Sequence, residues 1–140
     1  AIAIEWVLFN RGDSAAIAIE EREERAENIR NNAKELGVED RISVVVGKAP
    51  AALAGLPEPQ AIFLGGGADE AMLQALWAVM PPGARLVANA VTLETESLLS
   101  RWSSEKGGKL LRIELAEDEP LGRFRSWVPA RPIVQWSVTR

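Results

Sequence analysis

The sequence predicts an open α/β fold with a mainly parallel sheet, and three observations carry that expectation. Short apolar runs that read as strands alternate with helix-period segments, giving a β-α unit four times over. Several of these runs end in unusual residues: Ala16 to Ile19 leads into Glu20, and Ala61 to Leu64 into Gly65, Gly66 and Gly67. Residues 84–91 deliver Asn89, Thr92 and Glu94 to the start of a helix. Strand, special residue, helix is the order by which such sheets build crevices at the carboxyl ends of their strands.

Taken in order, residues 2–9 are apolar and readable as a strand or as the end of a helix, and residues 10–13 close them as a turn. Residues 15–19 form a buried-strand run. Residues 25–36 place Ala26, Ile29, Ala33 and Leu36 at helical spacing, with Glu21, Glu23 and Glu24 near the positive helix start and Gly37 just past its end. Residues 42–46 are a strand, and Pro50 suits the first turn of a short helix running toward Leu56. Residues 61–64 are a strand, followed by a helix over 69–80 with Met72, Leu73, Leu76 and Val79 on one face, stopped by Pro81, Pro82 and Gly83. Residues 86–91 are a strand and 94–106 a helix carrying Leu98, Leu99 and Trp102. Strands over 110–115 and 133–138 pair antiparallel as a hairpin at one edge, separated by a long loop over 117–131.

Composition narrows the chemistry. The 140 residues suit one domain with a sizeable core, 47% hydrophobic and 26% charged. A net charge of -4 gives no general attraction to nucleic acid or anionic membrane, and no apolar run approaches the roughly 20 residues of a bilayer span. The chain has neither cysteine nor histidine, which removes Ser-His-Asp and Cys-His catalysis and the commonest metal ligands. It reads as soluble and cytoplasmic, with no metal site. It opens on Ala1 rather than methionine, in apolar sequence, and is expected to be a piece of a longer protein.

The candidate site residues follow from the strand ends. Glu20 stands where a lone carboxylate commonly binds ribose hydroxyls, and it is equally the first acid of the helix start over 20–24. Gly65 and Gly66 permit close approach of a ligand or form a flexible turn. Asn89 and Thr92 offer neutral hydrogen-bonding groups, and Glu94 suits a helix start. In the long loop, Arg123 and Arg125 suit paired hydrogen bonds to carboxylates or form a solvated basic loop, and Trp127 suits a large flat ligand. Trp6, Trp77 and Trp102 are expected in the core or at an interface.

A resemblance joins these features. Residues 1–6, 18–20, 28–33, 47–53, 62–67 and 89–94 resemble, in order, the methyltransferase domain of the precorrin-6Y methyltransferases of vitamin B12 synthesis, and residues 120–127 resemble their substrate-side loop. The resemblance implies a Rossmann-like class I S-adenosylmethionine-dependent methyltransferase with an antiparallel C-terminal hairpin. The family's glycine-rich motif directly precedes the segment that opens this chain, so the usual first strand is lacking and residues 1–9 become the first helix. The cofactor implied is S-adenosylmethionine, and the reaction is methylation of a tetrapyrrole precorrin at carbon 15 with decarboxylation of an acetate side chain. An N-terminal domain that methylates carbon 5 and a tetrameric homo-oligomer are implied as well.

Carried over by residue, Glu20 with Glu21 beside it would hold the ribose, and Gly47, Lys48 and Ala49 would flank the adenine. Lys48 stands where many class I methyltransferases place an acid, so its backbone would contribute. Gly65 and Gly66 would pass under the methionine part. Asn89, Thr92 and Glu94 would line the substrate side, with Arg123 meeting a substrate carboxylate and Trp127 nearby. Two other readings accompany this one: a different small-molecule methyltransferase, and a non-catalytic α/β assembly domain.

Overall fold

In the computed structural model, all residues are described except Arg11 and Asp13. The turn expected over 10–13 therefore lies partly outside the described residues. The chain comprises two compact units, Ala1–Leu56 and Pro57–Arg140.

The first unit opens with helix α1 (Ile2–Phe9), then β1 (Ala16–Glu20), α2 (Glu23–Glu35) and β2 (Ile42–Val46). The ambiguity over residues 2–9 resolves as a helix, because Ile4 and Val7 are both buried, one turn apart. They pack with Ala33 and Val38, and Ala16 and Ile42 at the strand starts lean on the same cluster. Trp6, expected in the core or at an interface, is 46% exposed and so is not a core residue. Strands β1 and β2 pair in parallel, Ala16 opposite Ile42 through Glu20 opposite Val46. Arg41 pins the entry to both strands, donating to the carbonyls of Asn10 and Ser14 at 2.8 and 2.9 Å and to Ser14 Oγ at 2.6 Å. Gly37, at φ +65°, ends α2 in the left-handed region that glycine enters without strain.

The second unit contains β3 (Ala61–Leu64), α3 (Glu70–Val79), β4 (Arg85–Ala90), α4 (Leu93–Lys106), β5 (Lys109–Ile113), β6 (Ala116–Leu121), β7 (Phe124–Pro129) and β8 (Ile133–Thr139). One sheet has the order β3-β4-β8-β5, with β3 and β4 parallel and β8 antiparallel to both its neighbours. The expected antiparallel pairing of the last two strands holds, but β8 sits inside the sheet and β5 takes the edge. Helix caps match their chemistry: Asp69 accepts from the Met72 amide at the start of α3, and Thr92 from the Thr95 amide at the start of α4. The buried face of α3 is Leu73 and Leu76, while Val79, expected with them, is 43% exposed.

The loop expected over 117–131 is a β-hairpin. Strands β6 and β7 pair antiparallel from Ala116 opposite Pro129 to Leu121 opposite Phe124, leaving a two-residue loop of Gly122 and Arg123. Gly122 has φ +60° and Arg123 does not enter the positive region, as a turn with glycine first requires. Every residue of both strands is exposed, so burial leaves no alternation in the sequence for a reader to find.

Three tryptophans hold the second unit's helices to its sheet. Trp136 on β8 is fully buried and stacks on Trp77 of α3 with ring centroids 6.5 Å apart, and Trp102 of α4 lies 6.2 Å from each. The Trp136 indole N–H donates to the Gly107 carbonyl at 2.9 Å, which satisfies its polar atom. Glu70 ties α3 to α4: its carboxylate accepts from the Trp102 indole N–H at 3.3 Å, from the Arg101 guanidinium, and from Gln74 at 3.1 Å. Among the described residues, no helix is long and apolar enough to cross a membrane.

Two outcomes follow from this packing. Gly108, at φ +89°, would carry a Cβ only 2.4 Å from the Ser137 carbonyl oxygen and 2.9 Å from Trp136 Nε1. Gly108→Ala is expected to lose about 3 kcal/mol of stability, from backbone strain and overpacking together, read by urea denaturation. Retention of parental stability would show that the β5 start shifts freely. Hydrogen bonding from Trp102, helped by Arg101 and Gln74, lowers the Glu70 carboxyl below its usual 4.5. The folded carboxylate binds its proton more weakly than the unfolded one, so Glu70 favours folding above the ordinary glutamate pKa and loses that contribution as pH falls through the lower folded value. The stability gap between the parent and Glu70→Gln should therefore be present at neutral pH and close in acid below the usual 4.5. A gap unchanged across that range would rule out the charge as its source.

Candidate functional site

Parallel pairing places the carboxyl ends of paired strands at one edge, and both units use this. In the first, Glu20 is the last residue of β1 and Gly47 follows β2, with the Gly47 amide donating to the Glu20 carbonyl at 3.0 Å. Glu20, Glu21, Gly47, Lys48 and Ala49 therefore share one sheet edge. The Glu20 side chain is half-buried, and its Oε1 accepts from the Arg22 amide at 2.9 Å. Among the described residues its Oε2 takes no protein hydrogen bond, which leaves acceptor capacity of the kind a pair of ribose hydroxyls needs. Glu21 and Lys48 are exposed and Ala49 is half-buried. At Gly47 a Cβ would come within 3.1 Å of the Ala52 Cβ, so the short helical turn Ala51–Leu53 folds back closely over this glycine and would have to shift slightly to admit a side chain.

In the second unit, Leu64 lies opposite Ala88 in the parallel β3-β4 pair. Gly65 and Asn89 are each one step further along adjacent strands, so they too reach one edge. Gly65 and Gly66 are exposed. A Cβ at Gly65 would press on the Phe63 ring at 3.3 Å, whereas at Gly66 it would meet nothing within 4 Å. A side chain at Gly65 would thus need the Phe63 ring, itself 41% exposed, to give slightly, and one at Gly66 would need no adjustment. Gly67, at φ +70°, turns the chain toward the Asp69 cap.

Asn89 is half-buried, and its Oδ1 accepts from Gln135 Nε2 on β8 at 2.9 Å. Thr92 is exposed and occupied as a cap, donating to Thr95 Oγ1 at 3.0 Å while accepting from the Thr95 amide at 3.3 Å. Glu94 is an exposed acid in the first turn of α4. Arg123 and Trp127 belong to the β6-β7 hairpin. Arg123 lies over the Phe124 ring at 6.0 Å, Trp127 is 72% exposed, and Arg125 pairs with Asp118. Among the described residues, no side-chain hydrogen bond or ion pair ties this hairpin to Asn89, Thr92 or Glu94.

The structure therefore gathers Glu20, Glu21 and Gly47 to Ala49 in one unit, and Gly65, Gly66 and Asn89 in the other, with Thr92 and Glu94 just past β4. Strand-end position does not single out Gln135 or Trp136. Their signal is the alternation of Ile133, Val134, Gln135, Trp136 and Ser137, which puts one on each face of β8 but does not say which face is covered.

Comparison with known proteins bears on what such an edge serves. A precorrin methyltransferase domain family model matches residues 1–140. A precorrin-6Y C(5,15)-methyltransferase (decarboxylating) from a Sinorhizobium species is 46% identical over the whole chain, which spans 34% of that relative's length. A probable cobalt-precorrin-6B C(15)-methyltransferase (decarboxylating) from Pyrobaculum calidifontis is 31% identical over 95% of the chain and 70% of its own length. The crystal structure of the C-terminal domain of precorrin-6Y C5,15-methyltransferase from Rhodobacter capsulatus superposes with a TM-score of 0.94 at 49% identity, over 99% of this chain and 74% of that one. A SAM-dependent O-methyltransferase from Thermotoga maritima, 16% identical over 90% of this chain and 50% of that one, has a TM-score of 0.63 and bears on the fold alone. The fold is thus the Rossmann-like class I methyltransferase fold, and the chain belongs to the precorrin methyltransferase domain family.

Proposed function

We propose that residues 1–140 form the methyltransferase domain that methylates a precorrin at ring carbon 15 and releases an acetate carboxyl as carbon dioxide, with S-adenosylmethionine as methyl donor. The observation that carries this reading is the half-buried Glu20 at the carboxyl edge of a parallel pair, beside a glycine over which the chain folds back. Family membership supplies the reaction class. The carbon-15 activity named for the Pyrobaculum relative, whose length this chain mostly spans, favours that carbon over carbon 5.

S-adenosylmethionine supplies an activated methyl on a sulfonium, which leaves as S-adenosylhomocysteine once the methyl has passed to the ring carbon. The chain's own task is alignment of donor and electron-rich acceptor, which histidine-free and cysteine-free residues can perform. Glu20 accepts from the ribose hydroxyls, with Glu21 beside it, and the Gly47, Lys48 and Ala49 backbone borders the adenine. Gly65 and Gly66 let the methionine part approach, which gives a reason for the glycine at 66 that internal packing does not. Asn89, Thr92 and Glu94 line the substrate side, and Arg123 and Trp127 meet the carboxylates and flat ring of the tetrapyrrole.

The proposal extends to the assembly: a cytoplasmic homo-oligomer, a tetramer by family resemblance, within a longer protein that has an N-terminal methyltransferase domain. The hairpin supports association, since Leu121, Phe124 and Val128 share one of its faces at 64%, 72% and 44% exposure.

Calorimetric titration with S-adenosylhomocysteine tests the cofactor reading, on this chain and on one extended upstream through the glycine-rich segment that the family resemblance implies. Binding is expected in the extended chain, with Glu20→Ala weakening it about 10- to 100-fold, as loss of hydrogen bonds to a charged acceptor implies. No binding by either chain would remove the methyltransferase reading, and unchanged affinity in Glu20→Ala would remove the ribose role alone. For the assembly, Phe124→Glu should lower the mass seen by sedimentation equilibrium. An unchanged mass would exclude that face of the hairpin as the contact.

A further inference from the structure

On one face of the second unit's sheet, a row of side chains crosses three strands: Asn89 on β4, Gln135 directly opposite on β8, and Leu111 opposite Gln135 on β5. The other face is settled by Leu86, Ala88, Val134 and Trp136, all buried, so alternation leaves this row on the more open side. Leu111 is apolar and 44% exposed and offers Gln135 nothing to bond. Among the described residues, Gln135 has one side-chain partner, Asn89 Oδ1 at 2.9 Å.

In the orientation the pair adopts, Gln135 gives its N–H and Asn89 its Oδ1, and this sets what Asn89 offers. An unconstrained asparagine turns its amide over at little cost and presents an acceptor or two donors equally well. With Oδ1 engaged by Gln135, the planar amide turns Nδ2 and its two N–H groups away from β8. We infer that Gln135 is a positioning residue that holds Asn89 as a hydrogen-bond donor, so that this strand end selects an acceptor on the substrate, a carboxylate of an acetate or propionate side chain. The inference rests on the reading of Asn89 as a substrate-side residue. It gives the glutamine a task that sheet stability does not require, since a β-branched or aromatic residue fits an open strand face better.

Substitution at position 135 separates positioning from packing. The carboxylate introduced by Gln135→Glu is ionised at neutral pH and accepts only, so it draws the Asn89 N–H groups toward itself and leaves Oδ1 facing the substrate carboxylate. Gln135→Met keeps the length and removes the bond. In the upstream-extended chain, kcat/KM for the precorrin should fall about tenfold or more in Gln135→Glu and about threefold in Gln135→Met, mostly through KM. Affinity for S-adenosylhomocysteine should stay within about twofold of the parent, since the row lies on the substrate side. As pH falls through the glutamate range, the introduced carboxyl gains a proton and donates again. The ratio of Gln135→Glu to parent activity should then rise, a pH profile that a structural role would not produce.

Asn89→Ala is the companion measurement. Impaired turnover in Asn89→Ala with both Gln135 variants within about twofold of the parent would overturn the positioning role while keeping Asn89 on the substrate side. Parental turnover in Asn89→Ala would remove the Asn89 reading and the proposal with it, leaving the cofactor reading to the titration above. A loss of cofactor affinity in Gln135→Glu that accounts for its whole loss of turnover would also overturn it. Should Gln135→Glu fail to fold, Gln135→Met carries the comparison.

Discussion

Trp136 has no solvent-accessible surface, and the sheet of the second unit is organised around its burial. Its ring must lie on the face that Trp77 and Trp102 cover, which fixes which side of β8 is inward along the whole strand. Because strand side chains alternate, Gln135 is then compelled to the opposite face, and the register with β4 sets it against Asn89. The Trp136 N–H needs an acceptor in that dry setting and finds the Gly107 carbonyl, which draws the chain so close that residue 108 must be glycine. A slip of β8 by one residue would expose Trp136 and bury Gln135, so packing on one face and polar presentation on the other are the same constraint.

The first unit solves a smaller problem with different means. Its strands are short and only half-buried, and parallel pairing cannot be closed by a tight turn. Two devices hold the register. Ile4, Val7, Ala33 and Val38 pack α1 and α2 against the start of each strand, and Arg41 bonds to the chain at Asn10 and Ser14 just before β1. Fixing the strand starts fixes their ends, so Glu20 and Gly47 meet at the opposite edge, joined by the Gly47 amide bond to the Glu20 carbonyl.

Most elements were legible in the sequence; the type of residues 2–9 and the β6-β7 hairpin were not. The limits of β2 and β3 were readable to the residue because turn and glycine signals bracket short β-branched or apolar runs. Residues 2–9 are apolar except for Glu5, so no period separated helix from strand until burial of Ile4 and Val7 did. The β6-β7 hairpin failed for the opposite reason. Its first strand, Ala-Glu-Asp-Glu-Pro-Leu, has poor strand propensity and no buried side, and only the Gly122-Arg123 loop marks it. At the site, the strand-end residues were legible by position. Gln135 was not, because a polar residue on an alternating strand reads as solvent-facing unless its partner across the sheet is known.

The distribution of charge along these edges fits the proposed reaction better than a denser array of ionised groups would. A methyl leaving a sulfonium takes positive charge with it into the acceptor, so a carboxylate beside the reacting atoms would favour the starting charge over its dispersal. Among the strand-end carboxylates, Glu20 is half-buried and is assigned to neutral ribose hydroxyls rather than to the reacting end. The strand end assigned to the substrate carries amides and a hydroxyl, Asn89 with its Gln135 partner and Thr92 held by Thr95, and the acid assigned there, Glu94, is exposed in the first turn of α4. Neutral donors still discriminate a substrate rich in carboxylates, provided their orientation is fixed beforehand, since a dipole free to rotate adapts to donor and acceptor alike. Orientation is what the cross-strand bond to Gln135 adds, and it comes from the strand that Trp136 locks in register.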